Sequence, residues 1–466
     1  MFKIFLLLLM TALSAAQTAR PFDRDHDCPA QTIGGKVHEC RCEPNIIECH
    51  GRGITTFPHF ARTGYVFQSI DLDTNGLTTI PALAFNDINV TDIILSNNEI
   101  DTIDDRAFVS LERQLRFLDL RQNNLTHLPD FFDKFVNLSI FDVSYNPIAP
   151  ENFTENVMRE LGDYVTEFRF GDPSLTGWPT NLHHLPRLEI LKFYGGTMER
   201  IPITAFSGFE WPLRKLWIQN TNLISTPIAL QDLKSINEFH FDNNPSVGDA
   251  GILIPAFAGL SGTLETLSLE NNSLTTFPSV LLTLHNIHNL SLARNNLQFV
   301  SDEAVAVVNS NLTILNLQAC NLDRIPGALS RLRHLEYLDF SYNNITSIEK
   351  NDLQLMHNLR TLIVSYNPLQ YISNSTFYDL TSLRRLILQE TGLFSVPEAI
   401  VKLPNLQTID LRDKESDIEC NCDLGWLYCF TKRSTGLNIL GDCYTIVMTI
   451  QDYAENQIPK TCPIIC

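Results

Sequence analysis

The 466-residue sequence predicts an α/β solenoid with a parallel sheet on its concave side, short helices or turns on its convex side, and a disulfide cap at each end. Two observations carry this prediction. About fifteen copies of the pattern L-x-L-x-x-N-x-L run from Ile70 to Leu411, among them Leu118-Asp-Leu120-Arg-Gln-Asn123-Asn-Leu125 and Leu290-Ser-Leu292-Ala-Arg-Asn295-Asn-Leu297. A coil this short cannot bury its apolar edge alone, so successive coils must stack. Ten of the eleven cysteines crowd the two ends, where a stack would otherwise expose an apolar cross-section.

The organisation follows in order. Residues 1–16 read as a secretory leader: Lys3 is its positive end, Ile4 to Leu13 its apolar stretch, and Ser14-Ala15-Ala16 its cleavage site. The apolar stretch is shorter than the about 20 residues of a spanning helix. No later stretch is long and apolar enough to span, and the end at Cys466 lacks the tail of a lipid-anchor signal. The expectation is a secreted, extracellular product with no membrane span or lipid anchor. After a short segment at 17–27 come an N-terminal cysteine cap at 28–60, the repeats at 61–413 and a C-terminal cysteine cap at 414–466.

The net charge is −19, and removal of the leader takes away Lys3, making it −20. Nucleic acid and anionic membrane both demand basic surface, so neither is expected as a partner. An acidic surface also keeps a secreted protein soluble.

Within one repeat, the alternation L-x-L makes a short strand with leucines inward and the x residues outward. The asparagine turns inward to bond backbone groups that would otherwise be buried without partners. Segments such as Leu77 to Pro81 and Leu322 to Pro326 then turn the chain to the convex side, where Ala328 to Leu332 is expected as a short helix or turn. Repeat starts alternate near 23 and 25 residues through much of the array, which hints at an ancestral two-repeat unit. The asparagine position is taken by Pro173, Gly196 and Thr221 in three consecutive repeats, and by Cys320 in a later one. Two readings of Cys320 stay open, a buried free thiol and a reactive or intermolecular one; reactivity needs exposure and a cationic setting.

The pattern with its flanking caps resembles the extracellular leucine-rich-repeat family, as in slit-like, Toll-like and chaoptin-like ectodomains and small proteoglycans, whose fold is a horseshoe. The resemblance spans about Cys28 to Cys466. The N-terminal run Cys28-Pro29, Cys40-x-Cys42 and Cys49 is similar to the family's cap, although the gap from Cys28 to Cys40 is long. The resemblance implies Cys28–Cys42 and Cys40–Cys49. At the other end, Cys420-Asn-Cys422 with Leu424, Trp426, Cys443 and Cys462 is similar to the C-terminal cap and implies Cys420–Cys443 and Cys422–Cys462. Cys429 and Cys466 fall outside that pattern and are taken to pair with each other. A looser resemblance, in repeat spacing and architecture, is to secreted arthropod repeat proteins such as the non-catalytic subunit of a shrimp luciferase.

The outward column of the sheet locates a candidate binding site. It runs from Asp71, Ile94, Asp119 and Asp142 through Arg169, Lys192, Trp217 and His240 to Ser268, Ser291 and beyond. Arg169, Lys192, Trp217 and His240, flanked by Glu167, Tyr194, Lys215, Gln219, Glu238 and Asp242, form the expected contact patch. Trp, Tyr and Arg dominate protein interfaces because they bury much area while keeping a polar handle. An exposed Trp217 would be costly to leave in water. The patch coincides with the lapsed asparagine positions and with a gap in glycosylation sequons between Asn152 and Asn271. A second surface is offered by Ile363, Ile387, Arg385 and Gln389. The sequons are Asn89, Asn124, Asn137, Asn152, Asn271, Asn289, Asn311, Asn344 and Asn374. A glycan on Asn289 would obstruct the concave face.

No G-x-S-x-G, H-E-x-x-H or P-loop occurs, and no metal or cofactor is expected. Asp119 and Asp142 lie in one column about a strand spacing apart, a range at which paired carboxylates can exchange protons. On an open, water-filled face they are expected to stay ionised or hold a cation weakly. The expected role is non-enzymatic: binding of an extracellular protein or glycoprotein through the concave face. Two alternatives are a matrix or adhesion component that associates with itself, and a non-catalytic subunit of a secreted enzyme.

Overall fold

The computed structural model describes residues 28–33, 36–60, 62, 65–209, 213–298, 300–308, 310–414, 418–434, 436–444, 446–459 and 461–462. The expected leader and Cys466 lie outside the described residues, and the Cys429–Cys466 pairing with them. The chain divides into two compact units, residues 1–197 with 207–213 and residues 198–206 with 214–466.

Each unit is a stack of coils that pair through one sheet. In the first, the hairpin of Arg41–Glu43 and Ile46–Glu48 begins the sheet. Val66–Asp71, Asn89–Ile94, Phe117–Asp119, Ile140–Asp142, Glu167–Phe170 and Ile190–Tyr194 then join in parallel. In the second, Lys215–Gln219, Glu238–Asp242, Thr266–Ser268, Asn289–Ser291 and Ile314–Asn316 run in parallel. Tyr337–Asp339, Thr361–Ile363, Arg385–Ile387, Thr408–Asp410 and Asn438–Leu440 complete that sheet. Both caps thus add a strand to a sheet rather than only covering its end. The N-terminal cap is closed by Cys28–Cys42 and Cys40–Cys49, and the C-terminal cap by Cys420–Cys443 and Cys422–Cys462.

The apolar interior follows from the pattern. All fifteen residues at the first leucine position, from Ile70 to Ile409, are 0% exposed. Each such side chain stabilises the fold by about 1.5–3 kcal/mol relative to exposure. Phenylalanines thicken the first unit, where Phe85 stacks on Phe108 at 5.1 Å and Phe170 lies 5.2 Å from Phe193. On the side opposite the sheet, short 3-10 helices start directly after Pro179, Pro227, Pro278, Pro326 and Pro397. These prolines hold φ between −61° and −66°, the value their ring imposes, and so set the entry to each turn.

The asparagine column does the backbone work the sequence assigns to it. The Asn98 amide donates to the Leu72 and Leu95 carbonyls, each at 3.0 Å, while its oxygen accepts from the Leu77 N–H at 3.1 Å. Asn123 and Asn146 repeat this one and two coils later. Cys320 keeps half of the role: its N–H donates to Asn343 Oδ1 at 2.9 Å and its thiol to the Leu292 carbonyl at 3.2 Å. Burial pushes that thiol up to about 12, and it is a buried free cysteine. The reactive reading of Cys320 is thereby excluded, because a thiolate is not accessible there.

Where the asparagine lapses, the chain solves the same problem differently. Gly171, Gly195 and Gly196 adopt φ of +110°, +80° and +105°. A Cβ on Gly171 would meet the Tyr194 carbonyl oxygen at 2.1 Å, so only glycine permits this approach of two coils. Thr221 acts as a partial replacement, its N–H and hydroxyl both donating to Asn244 Oδ1 at 3.1 and 2.6 Å.

Candidate binding surface

The outward column is in register within each unit. Asp119, Asp142, Arg169 and Lys192 are consecutive partners in the first, and Trp217, His240, Ser268 and Ser291 in the second. The expected patch therefore comprises two groups of residues, Arg169, Lys192 and Tyr194 in the first unit and Lys215 to Asp242 in the second.

In the first group the cations are spent on carboxylates. Arg169 Nε donates to Glu167 Oε1 at 2.7 Å, and its Nη1 lies 3.3 Å from Asp142 Oδ2. Lys192 Nζ sits 2.9 Å from the same Glu167 oxygen. Burial raises the Glu167 pKa, but hydrogen bonds from Lys192 and Arg169 outweigh it and hold the carboxyl below its ordinary value. Tyr194 stacks on Tyr145 at 5.6 Å, and burial, helped by the Asp142 charge, pushes its phenol up to about 12.

The aspartate pair corrects an expectation. Asp119 is 3% exposed and Asp142 1%, so neither stands on an open, water-filled face. The Ser144 N–H and hydroxyl both donate to Asp142 Oδ1, and the Arg121 N–H donates to Asp119 Oδ1. Burial first, and the neighbouring Asp142 charge second, raise Asp119 to about 6. The cause is local: residues two positions after each aspartate fold back over it, which a strand-alternation argument does not foresee.

The second group is built around an aromatic pair. The Trp217 indole and the His240 imidazole stack at 4.7 Å with only 7° between their planes. Trp217 is half-buried, and the cost of a bare indole in water is reduced by the side chain that the next strand lays over it. Lys215 pairs with Glu238 at 2.7 Å, and His240 reaches Glu238 at 3.0 Å and Asp242 at 3.6 Å. Burial alone would lower the His240 pKa, but those two carboxylates outweigh it and raise it above the usual histidine value. Asp242 is further held by Gln219 at 2.9 Å and by the Ser268 hydroxyl at 2.7 Å. Beside this pair lies a depression of about 420 Å³ whose walls include His240, Asp242, Glu270, Asn289, Asn316 and Tyr337. Asn289 therefore reaches the same face as the pair.

Sequence reasoning placed Glu167 beside the patch and Asp142 in its column without foreseeing that they neutralise the cations. That pairing could have been found, because Asp142 shares a column with Arg169 and Glu167 stands two residues before that arginine on the same strand. Tyr145 could not, since it belongs to the turn after the strand. In the second candidate surface, Gln389 donates to Asp410 at 2.6 Å while Arg385 is exposed. None of the nine sequon asparagines is buried. Among the described residues, no group of three or more His, Cys, Asp or Glu could hold a metal ion.

Comparison with known proteins places this architecture. A family model described as "Leucine rich repeat" matches residues 88–148, 310–369 and 357–414. The volume-regulated anion channel subunit LRRC8A of Rattus norvegicus is 30% identical over 226 residues, covering 47% of this chain and 27% of that protein. The chain thus spans about a quarter of the length of that relative. Podocan-like protein 1 of Mus musculus is 26% identical over 463 residues, covering 89% of this chain and 78% of that protein. Toll-like receptor 3 of Bos taurus is 27% identical over 350 residues, covering 72% and 31%. Among solved structures, the mouse RP105/MD-1 complex superposes with a TM-score of 0.56 at 16% identity, covering 89% of this chain and 83% of that one. The buried leucine and asparagine columns, the parallel strands, the matched repeats and the disulfides near both ends make the fold a leucine-rich-repeat solenoid closed by cysteine caps, similar to these proteins.

Proposed function

We propose that the protein is a secreted, non-catalytic binding protein that recognises an extracellular protein or glycoprotein through the outward face of its parallel sheet. The observation that carries this reading is the Trp217–His240 stack. It is a half-buried aromatic surface with Lys215, Gln219, Glu238 and Asp242 around it and a shallow depression at its side. Such a surface offers apolar area with fixed polar groups, the combination that dominates protein interfaces. The prepaired charges favour it further, because they are already desolvated and oriented before a partner arrives. Arg169, Lys192 and Tyr194 present a comparable polar surface in the first unit.

Support for export comes from chemistry. Four disulfides at the caps need an oxidising compartment, and none of the nine sequon asparagines is buried. Among the described residues, no helix is long and apolar enough to cross a membrane. The likeness to Toll-like receptor and podocan-like proteins also favours a binding role over an enzymatic one.

The test is affinity capture with the glycosylated, secreted protein from its source fluid, in the natural form and as Trp217→Ala. The variant is expected to be secreted normally and to bind the captured partner at least about 30-fold more weakly, the loss of a central aromatic anchor. Unchanged affinity would reject the site. Capture of a second copy of the chain would identify a self-associating component, and a co-purifying enzyme would identify a non-catalytic subunit.

A further inference from the structure

A second surface, away from the outward sheet column, carries an inference of its own. In the second unit, the last coils and the C-terminal cap enclose a groove of about 600 Å³. Three aromatic side chains line it: Tyr371, 53% exposed, Phe394, 70% exposed, and the half-buried Trp426. Three carboxylates stand with them, Glu398, Glu419 and Asp423, and no lysine, arginine or histidine is among the described residues that line the groove.

The groove is held by elements that do not depend on an occupant. Tyr371 belongs to a short strand paired with Ser347–Ile348. Glu398 opens the 3-10 helix Glu398–Lys402, and Trp426 sits in the first turn of the helix Gly425–Arg433. The Glu419 N–H donates to the Phe394 carbonyl at 3.1 Å, tying the cap to the last coil. Cys420–Cys443 and Cys422–Cys462 anchor the wall that carries Glu419, Asp423 and Trp426.

Two features point to one kind of occupant. A phenylalanine as exposed as Phe394 loses its unfavourable hydration only when something covers it. The three carboxylates form no ion pair with any described residue, unlike Glu167, Glu238 and Asp410 elsewhere in the chain. Aromatic faces and carboxylates together select a cation with an apolar stem: the rings attract its charge and cover its methylenes, and the carboxylates complete the neutralisation. Another copy of this chain, with its net charge of −19, is a poor match for an acidic groove.

We propose that this groove seats a basic segment of a partner protein, with an arginine or lysine side chain laid over Phe394, Tyr371 and Trp426 and its charge directed at Glu398, Glu419 and Asp423. The site is separate from the Trp217 surface, so its partner and that of the sheet face need not be the same.

The test uses the full secreted protein and a fluorescently labelled tetra-arginine peptide, followed by anisotropy at about 0.1 M salt, where distant surface charges are largely screened. Phe394→Ala is expected to weaken binding at least tenfold with an unchanged melting temperature. Glu419→Gln and Asp423→Asn should each weaken it several-fold. Glu189→Gln, an exposed charge of the first unit, should leave it unchanged. Equal losses in Glu189→Gln and Glu419→Gln would overturn the proposal by showing only a general response to net charge. So would undiminished binding by Phe394→Ala. The Asn374 sequon lines the same groove. Peptide binding that emerges only in Asn374→Gln would therefore mean that the chain's own glycan occupies the groove, and would also overturn it. A native dimer lost in Phe394→Ala, with no peptide bound, would assign the groove to a second copy instead.

Discussion

The coils that carry Asn98, Asn123 and Asn146 and those that carry Pro173 and Gly196 lie in the same unit yet join their backbones by different means. In the regular coils a side-chain amide reaches across to a carbonyl of the neighbouring coil. In the irregular coils the glycines let the backbones meet directly, a Cβ on Gly171 falling on the Tyr194 carbonyl and one on Gly195 on the Asp172–Pro173 backbone. The lost asparagine is thus exchanged for a close backbone approach that only glycine permits, a change of mechanism rather than decay of the repeat. Arg169, Lys192 and Tyr194 stand on the strands of these glycine-joined coils.

The largest effect that could break this comparison is at Gly171. Gly171→Ala combines a left-handed backbone with a clash against the Tyr194 carbonyl, and should cost about 2–5 kcal/mol. Denaturant unfolding measures it; a loss below about 1 kcal/mol would show that the close approach is not required. Next is Asn146→Ala, which strands the Leu125 N–H and the Leu120 and Val143 carbonyls in the interior. A destabilisation of about 2–3 kcal/mol is expected from unsatisfied buried groups. A neutral result would mean that the regular coils do not depend on their ladder.

The smallest effect sharpens the comparison by testing the charge that the regular coils bury. Asp119 has its pKa raised to about 6 by burial and by Asp142. A raised carboxyl favours the folded state fully only below its unfolded value, near pH 4, and that contribution is lost as pH rises through about 6. Asp119→Asn should therefore match the natural protein near pH 4 and exceed its stability by about 1–2 kcal/mol at pH 7. Parallel stability curves across that range would remove the buried-charge account.

Particular residues show how much could be read in advance. The fifteen buried apolar positions, the inward asparagines and the proline-initiated turns were legible because each depends on its own coil and the next, a distance set by a fixed repeat length. The outward column was legible for the same reason, through the period of two along a strand. The fate of the side chains on that face was not. Asp119 and Asp142 were expected in water and are buried, because the turn after each strand folds back onto the face. That His240 is the side chain covering Trp217 was not legible, since a stacking geometry depends on the rotamers of two strands at once. The groove beside the C-terminal cap had no trace in the repeat pattern, because Tyr371, Phe394 and Trp426 come from different elements.

The sequence by itself determined the repeat, its apolar interior, the inward ladder and the register of the outward column, because neighbouring coils meet at a spacing written into the chain. Tertiary structure alone decided which charges on that column are paired, which aromatic rings stack, and where Phe394 is left bare. Those outcomes depend on side chains from separate coils competing for the same space and the same few polar partners, and no period along the chain encodes that competition.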